Sequence, residues 1–193
     1  MEPATVTGII LCGGQARRMG GVEKPLQQLD GAPLVALVRE RLVPQVARVI
    51  ISANRVHEAY AAWGDLVVAD AEPELGPLGG LAATLPLVTT PWFFCCPGDA
   101  PFLDRALVAR LSDVLGNAHC AIPSDGERRQ HLFLLGQTTL LVPLRDYLTT
   151  GGRSVGGFVA AQQPAMLDAA DIADTFRNIN TPAELRAAAA DPG

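Results

Sequence analysis

Residues 11–25, LCGGQARRMGGVEKP, contain the residue types best suited to binding a charged ligand. Four glycines stand beside three basic residues, Arg17, Arg18 and Lys24, and the segment follows an apolar run at residues 5–11. Glycine permits positive φ and lets backbone N–H groups approach an anion, while the basic side chains donate charge-assisted hydrogen bonds to phosphate oxygens. The pattern therefore predicts a loop that binds a triphosphate.

This loop differs from two well-known phosphate-binding sequences. It lacks the Gly-Lys-Ser/Thr ending of the Walker loop, and no G-x-G-x-x-G spacing can be read from it. Its position still favours a ligand, because the binding crevices of open α/β sheets lie at the carboxyl ends of strands. The alternative interpretation is a glycine-rich turn that only connects two elements.

A second candidate is Asp99, in the segment PGDAP at residues 97–101, directly after an apolar run at residues 92–96. The prolines restrict the loop, and a carboxylate at the end of a buried strand can hold a hard divalent cation. Mg²⁺ commonly takes one or two protein carboxylates and completes its shell with water and phosphate oxygens. We therefore predict Asp99 as a ligand of Mg²⁺, with Mn²⁺ as the alternative ion. The structural alternative is that Asp99 caps a helix near Asp104.

Asp70 and Asn54 each follow a further apolar, strand-like run. Gly76-Pro77 then opens a predicted helix, whose first N–H groups are free to bind a ligand. This arrangement favours Asp70 near the base or ribose of a nucleotide, and the Asn54 amide can both donate to and accept from a base. The alternatives are a solvated Asp70 and an Asn54 that caps the next helix.

Near the carboxyl end, the segment Asn178-Ile179-Asn180 carries two asparagines in alternation. On an extended backbone their side chains point the same way and can meet a ligand or the water shell of a metal together. Thr181 and Glu184, on either side of Pro182-Ala183, form a capping-box pattern for a final helix. Ligand binding and helix capping are compatible here.

The order of these segments resembles a known enzyme family. Gly13-Gly14, followed after three residues by Arg18-Met19-Gly20 and then by Lys24, resembles the signature of nucleotidyltransferases that activate a phosphorylated partner with an NTP. Among these enzymes the chain is most similar to the molybdenum cofactor guanylyltransferases, with the resemblance extending over residues 11–185.

The resemblance implies transfer of GMP from GTP to the phosphate of Mo-molybdopterin, with release of pyrophosphate. It implies catalytic roles for Asp99, Lys24 and Arg18, with the metal on Asp99. The nucleotide site that it implies consists of Leu11, Cys12, Gly13, Gly14, Lys24, Ser52, Asn54, Asp70, Gly76, Pro77 and Asp99. The acceptor side that it implies includes Asn178, Asn180, Arg153 and His131.

Three positions depart from the family's pattern. Cys12 stands where alanine is common, and Ser52 replaces the first asparagine of an Asn-x-Asn-Arg segment. Gly156-Gly157 replaces bulkier residues. Separately, His131 lies on an apolar run, and its alternative role is that of a core residue. Two rival activities therefore stay open: transfer from CTP to molybdopterin, or transfer to a sugar or alcohol phosphate. A rival of another class is an adaptor that binds GTP and cofactor without catalysis.

Composition excludes several other classes. The chain has 193 residues, 49% of them hydrophobic, and a formal net charge of −5, which disfavours a nonspecific nucleic-acid binder. Its amino terminus shows no secretion signal and no membrane span, so we expect a cytoplasmic protein whose protein partners are transient, such as cofactor-inserting proteins or molybdoenzymes. The four cysteines lack C-x-x-C spacing and are expected to be buried thiols. The alternative is a zinc site formed by Cys120, His119 and the adjacent pair Cys95 and Cys96.

The pattern of apolar runs predicts one α/β domain, a three-layer α/β/α sandwich around a mostly parallel, Rossmann-like sheet. We expect the nucleotide-binding half at about residues 1–115 and the acceptor half at about 116–193. Strands are predicted at residues 5–11, 46–52, 66–69, 92–96, 121–123 and 131–135, with an edge strand at 163–168. Helices are predicted at residues 33–42, 56–63, 78–87, 104–114, 138–148 and 182–190, with a flexible region at 149–157.

Overall fold

The computed structural model describes residues 1–13, 23–54, 57–70 and 72–190. Over these residues the chain forms a seven-stranded sheet and a small two-stranded hairpin. The strands are β1 (Val6–Leu11), β2 (Gln28–Leu29), β3 (Ala32–Pro33), β4 (Arg48–Ser52), β5 (Leu66–Val68), β6 (Trp92–Pro97), β7 (Cys120–Ser124), β8 (Leu134–Gln137) and β9 (Ala165–Asp168). The main sheet has the order β5-β4-β1-β6-β8-β7-β9, and β2 and β3 form the hairpin.

The predicted mostly parallel sheet is confirmed. β1, β4, β5 and β6 run parallel, so that Ile10 of β1 lies between Ile51 of β4 and Cys96 of β6. β8 runs antiparallel to both β6 and β7, and β9 closes the edge in parallel with β7. Because β4 and β6 flank β1 on opposite sides, the chain reverses its direction of travel across the sheet at β1, where open α/β sheets bind ligands.

Helices cover both faces of the sheet. They are α1 (Leu34–Leu42), α2 (His57–Tyr60), α3 (Pro77–Thr84), α4 (Leu107–Val114), α5 (Leu141–Thr149), α6 (Val155–Ala161) and α7 (Pro182–Ala190) among the residues described. Side chains of α1, α2 and α4 pack on one face, and side chains of α3, α5 and α6 pack on the other. Cys95 and Cys96 point to opposite faces, as the alternation of a strand requires. The expected three layers are therefore present.

Three predicted elements need correction. The helix predicted at 56–63 is described only as α2, and the strand predicted at 131–135 begins at Leu134, because Phe133 N–H closes a turn on Gln130 O at 3.0 Å. The region predicted to be flexible at 149–157 contains the start of α6. There Ser154 caps the helix by accepting a hydrogen bond from Gly157 N–H at 3.2 Å, and α6 buries apolar side chains on the sheet.

α7 begins with the predicted capping box. Glu184 N–H donates to Thr181 Oγ1 at 3.1 Å, and Thr181 N–H donates to Glu184 Oε2 at 2.9 Å. α7 packs beside the β2–β3 hairpin in a small apolar cluster built around Leu29, Leu34, Ile179 and Ala188. This cluster joins the carboxyl-terminal segment to the part of the chain that directly follows Lys24.

Candidate active site

The carboxyl ends of four parallel strands meet at one edge of the sheet. Cys12 N–H donates to Ser52 O at 2.8 Å, Ala53 N–H donates to Val68 O at 2.9 Å, and Gly98 N–H donates to Leu11 O at 3.0 Å. These bonds continue the ladders just past the ends of the strands. The segments that follow β1, β4, β5 and β6 are therefore held side by side, as the sequence predicts.

Lys24 and Asp99 are two charged residues at this edge whose charges interact. Lys24 lies in a short 3-10 helix, Lys24–Leu26, and Pro25 packs against Gly98, next to Asp99. Burial raises the pKa of the Asp99 carboxyl above its usual range, and the positive charge of Lys24 offsets part of that rise. The site thus places an ammonium group near a half-buried carboxylate at the point where β1 and β6 end.

The surroundings of Asp99 suit a magnesium ligand. No cluster of three or more His, Cys, Asp or Glu side chains that could hold a metal occurs among the described residues, so a protein-only cage is not present there. A single carboxylate beside a nucleotide is the arrangement in which Mg²⁺ completes its shell with phosphate oxygens and water. The capping alternative for Asp99 is wrong, because α4 begins at Leu107 with Ala106 as its N-cap, and the first-turn Val108 N–H donates to Gln45 Oε1 at 2.9 Å.

Asn54 and Asp70 form a second polar group at the same edge. Asp70 N–H donates to Asn54 Oδ1 at 2.8 Å, and Glu72 N–H donates to Asp70 Oδ1 at 3.0 Å. Burial raises the pKa of the Asp70 carboxyl, and these backbone and amide contacts partly oppose the rise. The Asn54 amide also lies close to Gly13, so it links the segments after β1, β4 and β5.

Gly76 and Pro77 start α3 beside this group. Gly76 is the N-cap with φ +60° and ψ −142°, a conformation that essentially only glycine adopts, and Pro77 occupies the first turn, where its missing N–H costs nothing. The predicted glycine-proline helix start is confirmed. Ser52 lies deeper: it is 2% exposed, and its hydroxyl is covered by Gly80 of α3.

Close packing requires three glycines at this edge, a role that sequence reasoning did not assign to them. A Cβ at Gly79 would collide with the Asp70 carboxylate, and one at Gly80 would lie 2.5 Å from Ser52 Oγ. A Cβ at Gly98 would lie 2.6 Å from Cys12 Sγ. The available sequence signal was the doublet Gly79-Gly80 directly after a helix start. Glycine destabilises a helix, so two glycines in succession indicate that another group approaches the helix too closely for a side chain.

Gly14, Arg17 and Arg18, which the sequence assigns to the triphosphate loop, lie outside the described residues. Leu11 and Cys12 lie at the end of β1 and just past it, and both are buried, at 8% and 4% exposure. Gly13 is the last described residue before the gap.

The four residues assigned to the acceptor side fall in different places. Asn180 Oδ1 accepts a hydrogen bond from Lys24 Nζ at 2.8 Å, and Asn178 Oδ1 is buried without a hydrogen bond from the described residues. His131 packs near Gly156, and burial, with the charge of Arg129, lowers its pKa.

Arg153 lies at a surface cavity on the α3 side of the sheet. Its guanidinium donates to Leu148 O at 3.0 Å and to Gly152 O at 2.7 Å. The cavity, of about 430 Å³, is also lined by Asp70, Gly79 and Arg145. The structure therefore connects Arg153 to the Asp70 side of the edge, and Asn180 to the Lys24 side.

Comparisons with known proteins identify the family to which the chain belongs. A family model described as the MobA-like NTP transferase domain matches residues 8–165. A molybdenum cofactor guanylyltransferase of Ralstonia nicotianae is 42% identical, with 94% of each chain covered. One of Cupriavidus taiwanensis is 43% identical over 94% of this chain and 95% of its own.

Solved structures share the fold at low sequence identity. Molybdopterin-guanine dinucleotide biosynthesis protein A from Archaeoglobus fulgidus superposes with a TM-score of 0.78 at 19% identity, covering 95% of this chain and 97% of that one. A 4-diphosphocytidyl-2C-methyl-D-erythritol synthase from Anaerococcus prevotii gives a TM-score of 0.75 at 11% identity, covering 97% and 96% of the two chains. The fold is thus that of the α/β nucleotidyltransferases.

The chain belongs to the MobA-like NTP transferase family, and its relatives over nearly the full length are molybdenum cofactor guanylyltransferases. It is accordingly an enzyme, a nucleotidyltransferase. No helix among the residues described is both long and apolar enough to span a membrane.

Proposed function

We propose that the protein transfers GMP from GTP to the terminal phosphate of Mo-molybdopterin, giving the guanine dinucleotide form of the cofactor and pyrophosphate. A phosphate oxygen of the pterin attacks the α-phosphorus of GTP. A new phosphorus–oxygen bond forms, the bond from the α-phosphorus to the bridging oxygen breaks, and pyrophosphate leaves. The observation that carries the proposal is the favourable charge interaction of Lys24 with Asp99, just past the end of β6, in a chain 42% identical to a molybdenum cofactor guanylyltransferase.

In this proposal the protein supplies alignment and charge rather than covalent chemistry. Lys24, with Arg18, neutralises the negative charge that collects on the leaving phosphates. Glycine-rich sequence after β1 would supply backbone N–H groups for phosphate oxygens. Bound to Asp99, Mg²⁺, or Mn²⁺ in its place, would neutralise phosphate oxygens as a Lewis acid. The half-buried position of Asp99 strengthens each electrostatic contact, because less water screens it.

We assign the base and ribose to the second polar group. Asn54 is already oriented by its bond to Asp70 N–H, and the Asp70 carboxylate is held by Glu72 N–H. A carboxylate accepts hydrogen bonds from ribose hydroxyls or from the N–H groups of guanine. Gly76 and Pro77 bring the first turn of α3 against the same ligand.

For the acceptor we retain Asn178, Asn180, Arg153 and His131 as the contact set, with Asn180 on the phosphate side of the edge. We also propose that the chain is one domain, with residues up to about 115 binding the nucleotide and the remainder binding the acceptor. Its place would be the cytoplasm, with transient contacts to cofactor-inserting proteins or molybdoenzymes.

The test is pyrophosphate release with GTP, Mg²⁺ and molybdenum-loaded molybdopterin. Asp99→Ala should lower turnover by about two orders of magnitude or more, the usual effect of removing one electrostatic contact at a transferring group. Asp104→Ala is the matched control, since it removes a carboxylate five residues further along the chain whose hydrogen bond goes to Ala106 N–H, just before α4. Asp99→Ala with nearly full turnover would remove Asp99 from the mechanism. Equal losses in both variants would assign the effect to the local fold.

A further inference from the structure

The carboxyl-terminal segment lies against both charged residues of the active edge. Lys24 Nζ donates to Asn180 Oδ1 at 2.8 Å, across 156 positions of the chain. One residue earlier, Ile179 N–H donates to Asp99 O at 2.9 Å, and its side chain is buried in the apolar cluster with the β2–β3 hairpin. The backbone at residues 179 and 180 is therefore fixed relative to Asp99 while the Asn180 side chain holds the ammonium group.

Asn180 is itself fixed by the first turn of α7. Its N–H donates to Glu184 Oε2 at 2.6 Å, and the same oxygen accepts Thr181 N–H at 2.9 Å. In an ordinary capping box the glutamate satisfies only the N-cap residue, Thr181 here. The additional bond to Asn180 N–H extends the box by one residue toward the active site, and helix stability alone does not require it.

We propose that Glu184 is a positioning residue, which orients Lys24 toward the triphosphate through Asn180. Glu184 touches no reacting atom in this scheme. It fixes the backbone of Asn180, whose amide oxygen then restricts the flexible Lys24 side chain to the side of Asp99. A lysine ammonium otherwise samples many rotamers, and ordering it in advance spares part of the entropy cost of binding the phosphates. The inference rests on the proposed function only for the assignment of Lys24 to the triphosphate.

Two variants of Glu184 separate this role from helix capping. Glu184→Ala removes the bonds to both backbone N–H groups, whereas Glu184→Gln keeps one carbonyl oxygen, which suffices because a single oxygen accepts both bonds. Thr181→Ala is the matched control: it removes the opposite half of the box, the acceptor of Glu184 N–H, and leaves Asn180 N–H untouched. Glu184→Ala and Thr181→Ala should both lower the melting temperature.

The readout is the affinity for a fluorescent N-methylanthraniloyl analogue of GTP, measured with Mg²⁺ and without acceptor. We expect Glu184→Ala to weaken binding about fivefold to tenfold, the scale of one ordinary hydrogen bond, because Glu184 acts on the phosphates only through Asn180 and Lys24. Glu184→Gln and Thr181→Ala should stay within about twofold of the unmodified protein. In a Lys24→Ala background, Glu184→Ala should have almost no further effect, because the group that it positions is gone.

Two results would overturn the inference and are distinguishable. If Lys24→Ala binds the analogue normally, the assignment of Lys24 to the triphosphate fails, and the positioning role fails with it. The second result begins with Lys24→Ala weakening binding, as expected. If Glu184→Ala then has the same effect with Lys24 present and with Lys24→Ala, or no larger an effect than Thr181→Ala, Glu184 is only a helix cap. In that case the proposed function stands.

Discussion

Substitution of Gly79 by alanine tests whether the position of the Asp70 carboxylate matters for the nucleotide. A Cβ at Gly79 would lie 2.7 Å from Asp70 Oδ1 and closer still to Oδ2, well inside van der Waals contact. The carboxylate must therefore move by about 1 Å, since ordinary contacts to carbon begin near 3.5 Å. Moving it breaks the 3.0 Å hydrogen bond from Glu72 N–H.

The effects on stability partly cancel. Losing the hydrogen bond from Glu72 N–H to the Asp70 carboxylate costs about 1.5–3 kcal/mol, and replacing a helical glycine with alanine returns up to about 1 kcal/mol. The net loss of about 0.5–2 kcal/mol should lower the melting temperature by about 1–8 °C. Nucleotide affinity has no such compensation, because hydrogen bonds to a charged carboxylate contribute about 1.5–3 kcal/mol each. We expect the dissociation constant for GTP to rise by about tenfold to a hundredfold.

Isothermal titration calorimetry with GTP and Mg²⁺ measures the affinity, and thermal unfolding followed by circular dichroism measures the stability. The control is Gly79→Ala in an Asp70→Ala background, where the clash is absent. There the substitution should stabilise the helix slightly and leave the already weakened affinity unchanged. The reasoning is refuted if Gly79→Ala binds GTP normally, or if it weakens binding by the same factor without Asp70.

Two further predictions concern buried ionisable groups. Burial raises the pKa of Asp99, so the folded state binds this proton more tightly than the unfolded state does. The resulting gain in folding stability is complete below the unfolded pKa of about 4 and is lost as the pH rises through the folded pKa. Without metal or nucleotide at pH 7, Asp99→Asn should therefore have a higher melting temperature than the unmodified protein. The difference in melting temperature should disappear below about pH 4. A difference that does not change with pH would contradict a raised pKa at Asp99. All four cysteines are free and buried, and burial raises the pKa of Cys95 to about 12 and that of Cys120 to about 11. Ellman's reagent at pH 8 should therefore modify none of them in the native protein and all of them in guanidinium, and rapid native modification would show that the core opens.

The strands of the active edge were predictable because their physics is local. β1 and β6 are continuous apolar runs, buried from both faces, and a glycine-rich or proline-bounded loop marks each end. Placing Asp70 and Asp99 at one edge then required only that parallel strands share a direction. The α7 capping box was predictable for the same reason, since its partners are three residues apart.

The contacts that join distant segments were not predictable. Nothing in the neighbourhood of Lys24 indicates that its ammonium group meets Asn180, and the extra bond of Glu184 to Asn180 depends on how Ile179 is buried. The onset of α6 was missed because glycines at 156 and 157 disfavour a helix locally, and its stability comes from burying Phe158 on the sheet.

The most direct test of the central claim is a competition among nucleotides. The protein, Mg²⁺ and molybdenum-loaded molybdopterin would be incubated with equal GTP, CTP, ATP and UTP, and the product would be identified by mass spectrometry alongside pyrophosphate release. We expect the guanine dinucleotide as the dominant product, formed in equal amount with pyrophosphate and only when the acceptor is present. A cytosine dinucleotide as the dominant product, or GTP binding without any pyrophosphate, would contradict the claim.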